Sequence, residues 1–155
     1  MPNRSLTVIA LSVLGLVSTA LAKTNLTGTW KVDNAKSDFG AMPAPQSTVS
    51  TIDQEDPKLK ISTTSVGDSG ERTFTLVFTT DGTESTNEVG SIQIKSKARW
   101  EGNDLIVESK AATDQGEFTV KDRWSLSEDA KTLKLLRQWA SPMGEATQTL
   151  IHLKQ

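Results

Sequence analysis

From about Glu71 to Leu153 the chain is a nearly unbroken ladder of short segments in which apolar and polar residues alternate, each closed by a hairpin-type turn. The segments run Thr73 to Phe78, Ser91 to Trp100, Asp104 to Ala111, Glu117 to Leu126, Thr132 to Trp139 and Glu145 to Leu153. Asp81-Gly82, Gly90, Gly102-Asn103, Asp114-Gln115-Gly116, Glu128 to Lys131 and Ser141-Pro142-Met143-Gly144 separate them. Period-2 alternation with turns at this spacing predicts an antiparallel meander with one face buried. A meander this long leaves costly free edges unless it closes on itself, and a closed barrel has an interior.

The residues before the ladder extend the same plan. Gly28-Thr29-Trp30-Lys31-Val32 is an opening strand with Trp30 and Val32 on one face. Asn34 to Pro45 holds two of the five prolines, Pro43 and Pro45, which break regular pairing, so a loop with at most one helical turn is expected. Ser47 to Glu55 and Lys58 to Val66 form two strands about the Asp56-Pro57 turn, with Ile52 opposite Ile61. The expected fold class is all-β: a single antiparallel up-and-down meander closed into a barrel of roughly eight to ten strands, with no helix and no 3.6-residue periodicity.

Tight turns fix a register, and the register makes the inner wall readable. A two-residue Gly102-Asn103 turn pairs Trp100 with Leu105, Ala98 with Val107 and Ser96 with Ser109. A tight Asp114-Gln115 turn sets Ala111 against Phe118, Ser109 against Val120 and Val107 against Asp122. Centring the next turn on Asp129-Ala130 pairs Leu126 with Leu133, Trp124 with Leu135 and Asp122 with Arg137. One face therefore collects Phe74, Leu76, Phe78, Ile92, Ile94, Phe118, Val120 and the tryptophans, while the other is mainly Thr, Lys, Glu, Gln and Ser.

Residues 1–22 are expected to form a secretory signal peptide rather than part of the fold. Arg4 supplies the positive start, Leu6 to Val17 the apolar stretch, and Ala20-Leu21-Ala22 the small residues before a cut after Ala22. The stretch is short for a membrane span, so no span is expected after cleavage. The predicted domain is then 23–155, a secreted or periplasmic barrel and a monomer. The whole chain holds 17 basic and 19 acidic residues; losing Arg4 leaves 16 against 19, a net charge of −3. That balance, with the cations scattered, argues against nucleic acid as a partner. There is no cysteine, so disulfides and thiolate metal sites are excluded and the sheet and core must stabilise the domain alone.

Gly28-Thr29-Trp30 resembles the Gly-x-Trp with which calycin barrels, the lipocalins and fatty-acid-binding proteins, open their first strand. Trp100-Glu101-Gly102-Asn103-Asp104-Leu105 and Arg123-Trp124-Ser125-Leu126-Ser127-Glu128-Asp129 are similar to meander hairpins of the fatty-acid-binding type. The resemblance implies a small lipocalin-like secreted barrel in which the Trp30 indole closes one end. Asn34 to Pro45 is too short and proline-rich for the two-helix lid of fatty-acid-binding proteins. No helix follows the last strand as in a lipocalin, and the Arg-x-Tyr carboxylate pair is missing because the chain has no Tyr. The resemblance therefore hands over no ligand.

Arg137 is in phase with Leu133, Leu135 and Trp139 and so points inward. An inward Arg either binds an anionic head group or is neutralised by Asp122 across the hairpin, since an unpaired buried charge is costly. Ser85, Asn87, Ser96, Ser109 and Gln148 complete a polar belt on the same face, which suits an amphipathic ligand or trapped water. Trp30, Trp100, Trp124 and Trp139 all fall inward, for core packing and end closure or for stacking on a ligand. His152, the single histidine, lies near a C-terminus expected to fray, which leaves no imidazole pair for a catalytic triad or a multi-histidine metal centre.

The expected function is binding of a small apolar or amphipathic molecule, an anionic one included, without catalysis, cofactor or metal. The residues expected to line the site are Arg137, Asp122, Trp139, Trp124, Trp100, Ser96 and Ser109, with Gly28 and Trp30 as the structural motif. The alternative is a structural or inhibitor-like barrel filled by its own side chains, with Phe39 and the Pro43 to Pro45 loop as contact surface.

Overall fold

The computed structural model describes residues 23–155; the expected signal peptide lies outside the described residues. Ten antiparallel strands form one sheet: β1 Gly28–Val32, β2 Ser47–Glu55, β3 Lys58–Gly67, β4 Gly70–Thr79, β5 Asp81–Val89, β6 Ile92–Glu101, β7 Asp104–Thr113, β8 Gly116–Leu126, β9 Thr132–Ser141 and β10 Gly144–Lys154. Their order is β4-β3-β2-β1-β10-β9-β8-β7-β6-β5, so the meander wraps until β1 pairs with β10. No helix occurs among the described residues.

The register is the one the turns dictate. Trp100 pairs with Leu105, Leu105 with Trp124, Trp124 with Leu135, and Asp122 with Arg137. Ile52 stands opposite Ile61. The segment after Asp81-Gly82 is a full strand, β5, although it is no part of the alternating ladder. Its sequence, Asp-Gly-Thr-Glu-Ser-Thr-Asn-Glu-Val, is polar on both faces, so hydrophobic periodicity cannot reveal it.

The edge strands β4 and β5 meet without a backbone ladder, and side chains join them. The Asn87 amide accepts from the Val77 N–H at 2.8 Å and donates to the Val77 carbonyl at 2.9 Å. Ser85 Oγ accepts from the Thr79 N–H at 3.1 Å. Asn87 thus acts as a one-residue strand, satisfying edge groups that would otherwise be orphaned.

One end of the barrel is closed. Leu26, Trp30, Leu59, Leu105 and Leu133 are fully buried there, in a cluster that includes Ile52, Trp124 and Leu135. Trp30 donates its indole N–H to the Leu26 carbonyl at 2.9 Å, and the Lys154 ammonium lies 5.5 Å from its ring centroid. Gly28 has φ +150°, a backbone conformation that residues with a side chain rarely adopt, which favours glycine two residues before Trp30. The segment ahead of β1 is tied down as well: Gln54 accepts from the Leu26 N–H at 2.8 Å and donates to the Thr24 carbonyl at 3.0 Å.

On the outer wall Ile106 is fully buried between its cross-strand neighbours Arg99 and Arg123. A chain of ion pairs runs beside it: Lys121–Glu108 at 3.5 Å, Glu108–Arg99 at 3.0 Å, Arg99–Glu101 at 3.0 Å, Glu101–Arg123 at 2.9 Å and Arg123–Asp104 at 2.8 Å. Half-exposed pairs of this kind each stabilise little, and the apolar stems over Ile106 contribute alongside them.

Candidate functional site: the open half of the barrel

Along the inner wall the large apolar side chains pass from buried at the closed end to half-buried at the other, while the small Ser96 and Ala111 stay buried. Ala98, Val107, Asp122 and Gln148 form a buried row in the middle. One step further out, Ser109, Val120 and Trp139 are only half-buried, and beyond them Phe118 and Ile94 are half-buried too. Phe74 of β4 and Ile92 of β6 share that condition. Large apolar side chains that point inward yet stay partly accessible describe an opening lined by hydrophobic groups.

Asp122 and Arg137 meet at the boundary between the packed and the open half. Arg137 donates from Nε to Asp122 Oδ1 at 2.8 Å and from Nη2 to Oδ2 at 2.7 Å, the bidentate fork that guanidinium geometry favours. Their side chains are 28% and 11% exposed. Burial works against the Arg137 charge, but the Asp122 carboxylate outweighs it and holds the guanidinium pKa above its ordinary value. Arg137 Nη1 donates to no group among the described residues. The guanidinium also lies 5.7 Å from the centroid of the Trp139 ring, which packs against Phe118 at 6.4 Å.

The polar belt is largely satisfied across neighbouring strands. Ser96 and Ser109 hydroxyls bond each other at 2.7 Å, Ser50 and Thr63 at 2.9 Å, and Thr48 and Ser65 at 3.1 Å. Gln148 accepts weakly from the Trp139 indole at 3.4 Å and donates to the Phe39 carbonyl at 3.0 Å.

That last bond fixes the β1–β2 loop over the barrel. β1 is short, so β10 beyond its first pairs offers a free edge. The loop fills it: Asp38 and Thr149 exchange backbone bonds at 2.7 and 2.8 Å, and the Ile151 N–H donates to Ser37 Oγ at 2.9 Å. Gly40 has φ +62°, and a Cβ there would stand 2.8 Å from the Thr147 carbonyl oxygen, so only glycine lets the loop lie this close. The strapped loop carries half-buried Phe39 and exposed Met42.

Of the residues singled out from sequence, Arg137, Asp122, Trp139, Ser96 and Ser109 come together at the open half. Trp124 does not; it is buried in the closed-end cluster, 5.7 Å from the His152 ring. Trp100 packs against the same cluster, and its indole N–H has no partner among the described residues. His152 corrects an expectation. It is no fraying terminal residue but 2% exposed, with Nδ1 3.2 Å from the Leu133 carbonyl. Burial, aided by the nearby Arg137 charge, lowers its pKa to about 4. Sequence reading also missed Leu26 and the joining role of Asn87. Strand phase carried the signal for His152, which follows Leu150 by two and faces Leu133.

A concavity of about 640 Å³ runs across strands β5 to β10. Its lining combines an outer groove of Lys95, Lys97, Glu108, Lys110, Lys121 and Gln138, at outward register positions, with Ser96, Ser109, Val120 and Trp139 of the inner-wall rows.

No protein-family model matches the sequence, and no curated protein matches it. Solved structures do match in fold. A secretory abundant heat soluble protein from Ramazzottius varieornatus superimposes with a TM-score of 0.64 at 15% identity, over 86% of this chain and 98% of that one. Secretory abundant heat soluble protein 4 from the same organism gives 0.56 at 15% identity, over 87% and 99%. Zebrafish ileal bile acid-binding protein, in complex with cholic acid, gives 0.58 at 16% identity, over 84% and 98%. The ten-stranded antiparallel meander is thus similar in fold to both of these groups.

Proposed function

We propose that the protein is a secreted carrier or scavenger that holds a small apolar or amphipathic molecule in the open half of its barrel, without catalysing its conversion. The observation that carries this reading is the burial gradient of the inner wall. Leu105 and Leu133 are fully buried at one end, while Phe118, Ile94, Val120 and Trp139 stay partly accessible at the other. Leaving such side chains wet costs about 25 cal/mol for each Å² that a ligand would cover. Phe118 and Trp139 would flank the apolar part of the ligand, and Ser96, Ser109 and the Asp122–Arg137 pair would meet its polar end.

The signal-like N-terminus supports secretion. Two proteins of similar fold support the same reading: one is named as secretory, another is solved with cholic acid. The domain is read as 23–155 and as a monomer.

The test is a titration with N-phenyl-1-naphthylamine, an uncharged probe that brightens in apolar surroundings. Saturable brightening in the wild type is expected, with loss in Val120→Trp, which fills the lumen, and no change in Lys110→Glu on the outer groove. No saturable signal, or loss in Lys110→Glu alone, would overturn the reading.

A further inference from the structure

We infer that the lumen selects amphiphiles whose polar end carries no negative charge, a hydroxylated head such as that of a monoacylglycerol over a carboxylate; this rests on the function proposed above. Arg137 is the cation that would attract an anion, but its Nε and Nη2 edge is already engaged in a bidentate pair with Asp122. Of the inward titratable groups near it, His152 is neutral at ordinary pH, so the middle of the lumen carries no net charge. A carboxylate entering there gains one remaining guanidinium edge and meets the Asp122 carboxylate at the same time. A hydroxyl suits both partners, because it accepts from Arg137 Nη1 and donates to an Asp122 lone pair. The neighbouring Ser96 and Ser109 are hydroxyls as well.

The approach to the lumen has the same preference. The turns β3–β4, β5–β6, β7–β8 and β9–β10 all lie at the open end, as the antiparallel order requires. They bring Asp68, Glu71, Glu88, Asp114, Glu117 and Glu145 there, all exposed and none in an ion pair among the described residues. Against them the same turns carry one cation, Arg72, also exposed. A rim of one sign lowers the local concentration of like-charged solutes and slows their entry.

The experiment is displacement of N-phenyl-1-naphthylamine from the full secreted domain at pH 8 by 1-monolauroylglycerol and by laurate, both below their aggregation concentrations. The monoacylglycerol is expected to compete at least about tenfold more tightly, a difference of about 1.4 kcal/mol. In Asp122→Asn, which frees the Arg137 charge, the preference is expected to shrink tenfold or reverse. Should that variant fail to fold, Glu117→Gln with Glu145→Gln serves instead, and laurate alone is then expected to gain affinity, most at low salt. Laurate binding as tightly as the monoacylglycerol overturns the inference, as does displacement by neither ligand. In both cases the probe is still bound and the lumen reading stands. Absence of probe binding overturns the lumen reading itself.

Discussion

Arg137 and His152 show how little separates a functional from a structural side chain in a small barrel. Alternation alone places both inside, and strand pairing decides what each can do. Arg137 is held by Asp122 at 2.8 and 2.7 Å, so removing it strands a mostly buried carboxylate. Arg137→Gln is expected to lower unfolding stability by about 2 kcal/mol in urea denaturation, below the range for fully buried pairs because the guanidinium is 28% exposed. His152 makes a pH dependence. Its pKa falls from 6.5 to about 4 on folding, so between those values the unfolded chain binds the proton more readily. Stability from this source is intact above pH 6.5, declines as the pH drops, and is fully lost near pH 4. The loss is about 3 kcal/mol. His152→Gln is expected to flatten that part of the curve relative to wild type, measured as urea midpoints at pH 7 and pH 4.5.

At the scale of elements, the seam and the strap are where side chains do what strands do elsewhere. Asn87 pairs with both backbone groups of Val77, so Asn87→Ala leaves two edge groups without partners. A cost of about 1–3 kcal/mol is expected, with faster amide exchange at Val77 and no change at Val107 in the centre of the sheet. The strap depends on Gly40: Gly40→Val is expected to displace the β1–β2 loop and speed exchange at Thr149 and Ile151 while the sheet persists. Neither device was legible in the sequence. β5 carries no apolar alternation to mark it, and the Gln148–Phe39 bond joins residues 109 apart that no local pattern relates. What was legible was everything set by period 2 and tight turns: the pairing of Trp100 with Leu105, Ser96 with Ser109 and Asp122 with Arg137 follows from Gly102-Asn103 and its successors. The bidentate geometry, the burial of His152 and the outer groove depend on how the sheet curls, which pairing does not specify.

For the whole molecule, the closed-end cluster stabilises the barrel and the open half is free to differ. Leu133→Ala, in the fully buried cluster, is expected to cost about 3 kcal/mol, whereas Phe118→Ala at the mouth costs less in stability and more in binding. This division between a packed floor and an accessible upper wall is the account's central claim. A two-dimensional NMR titration with N-phenyl-1-naphthylamine tests it most directly. The account predicts shifts concentrated at Ile94, Phe118, Val120 and Trp139, with Leu105 and Leu133 undisturbed. Shifts confined to Lys95, Lys97 and Lys110 on the outer groove, or none at saturating ligand, would contradict it.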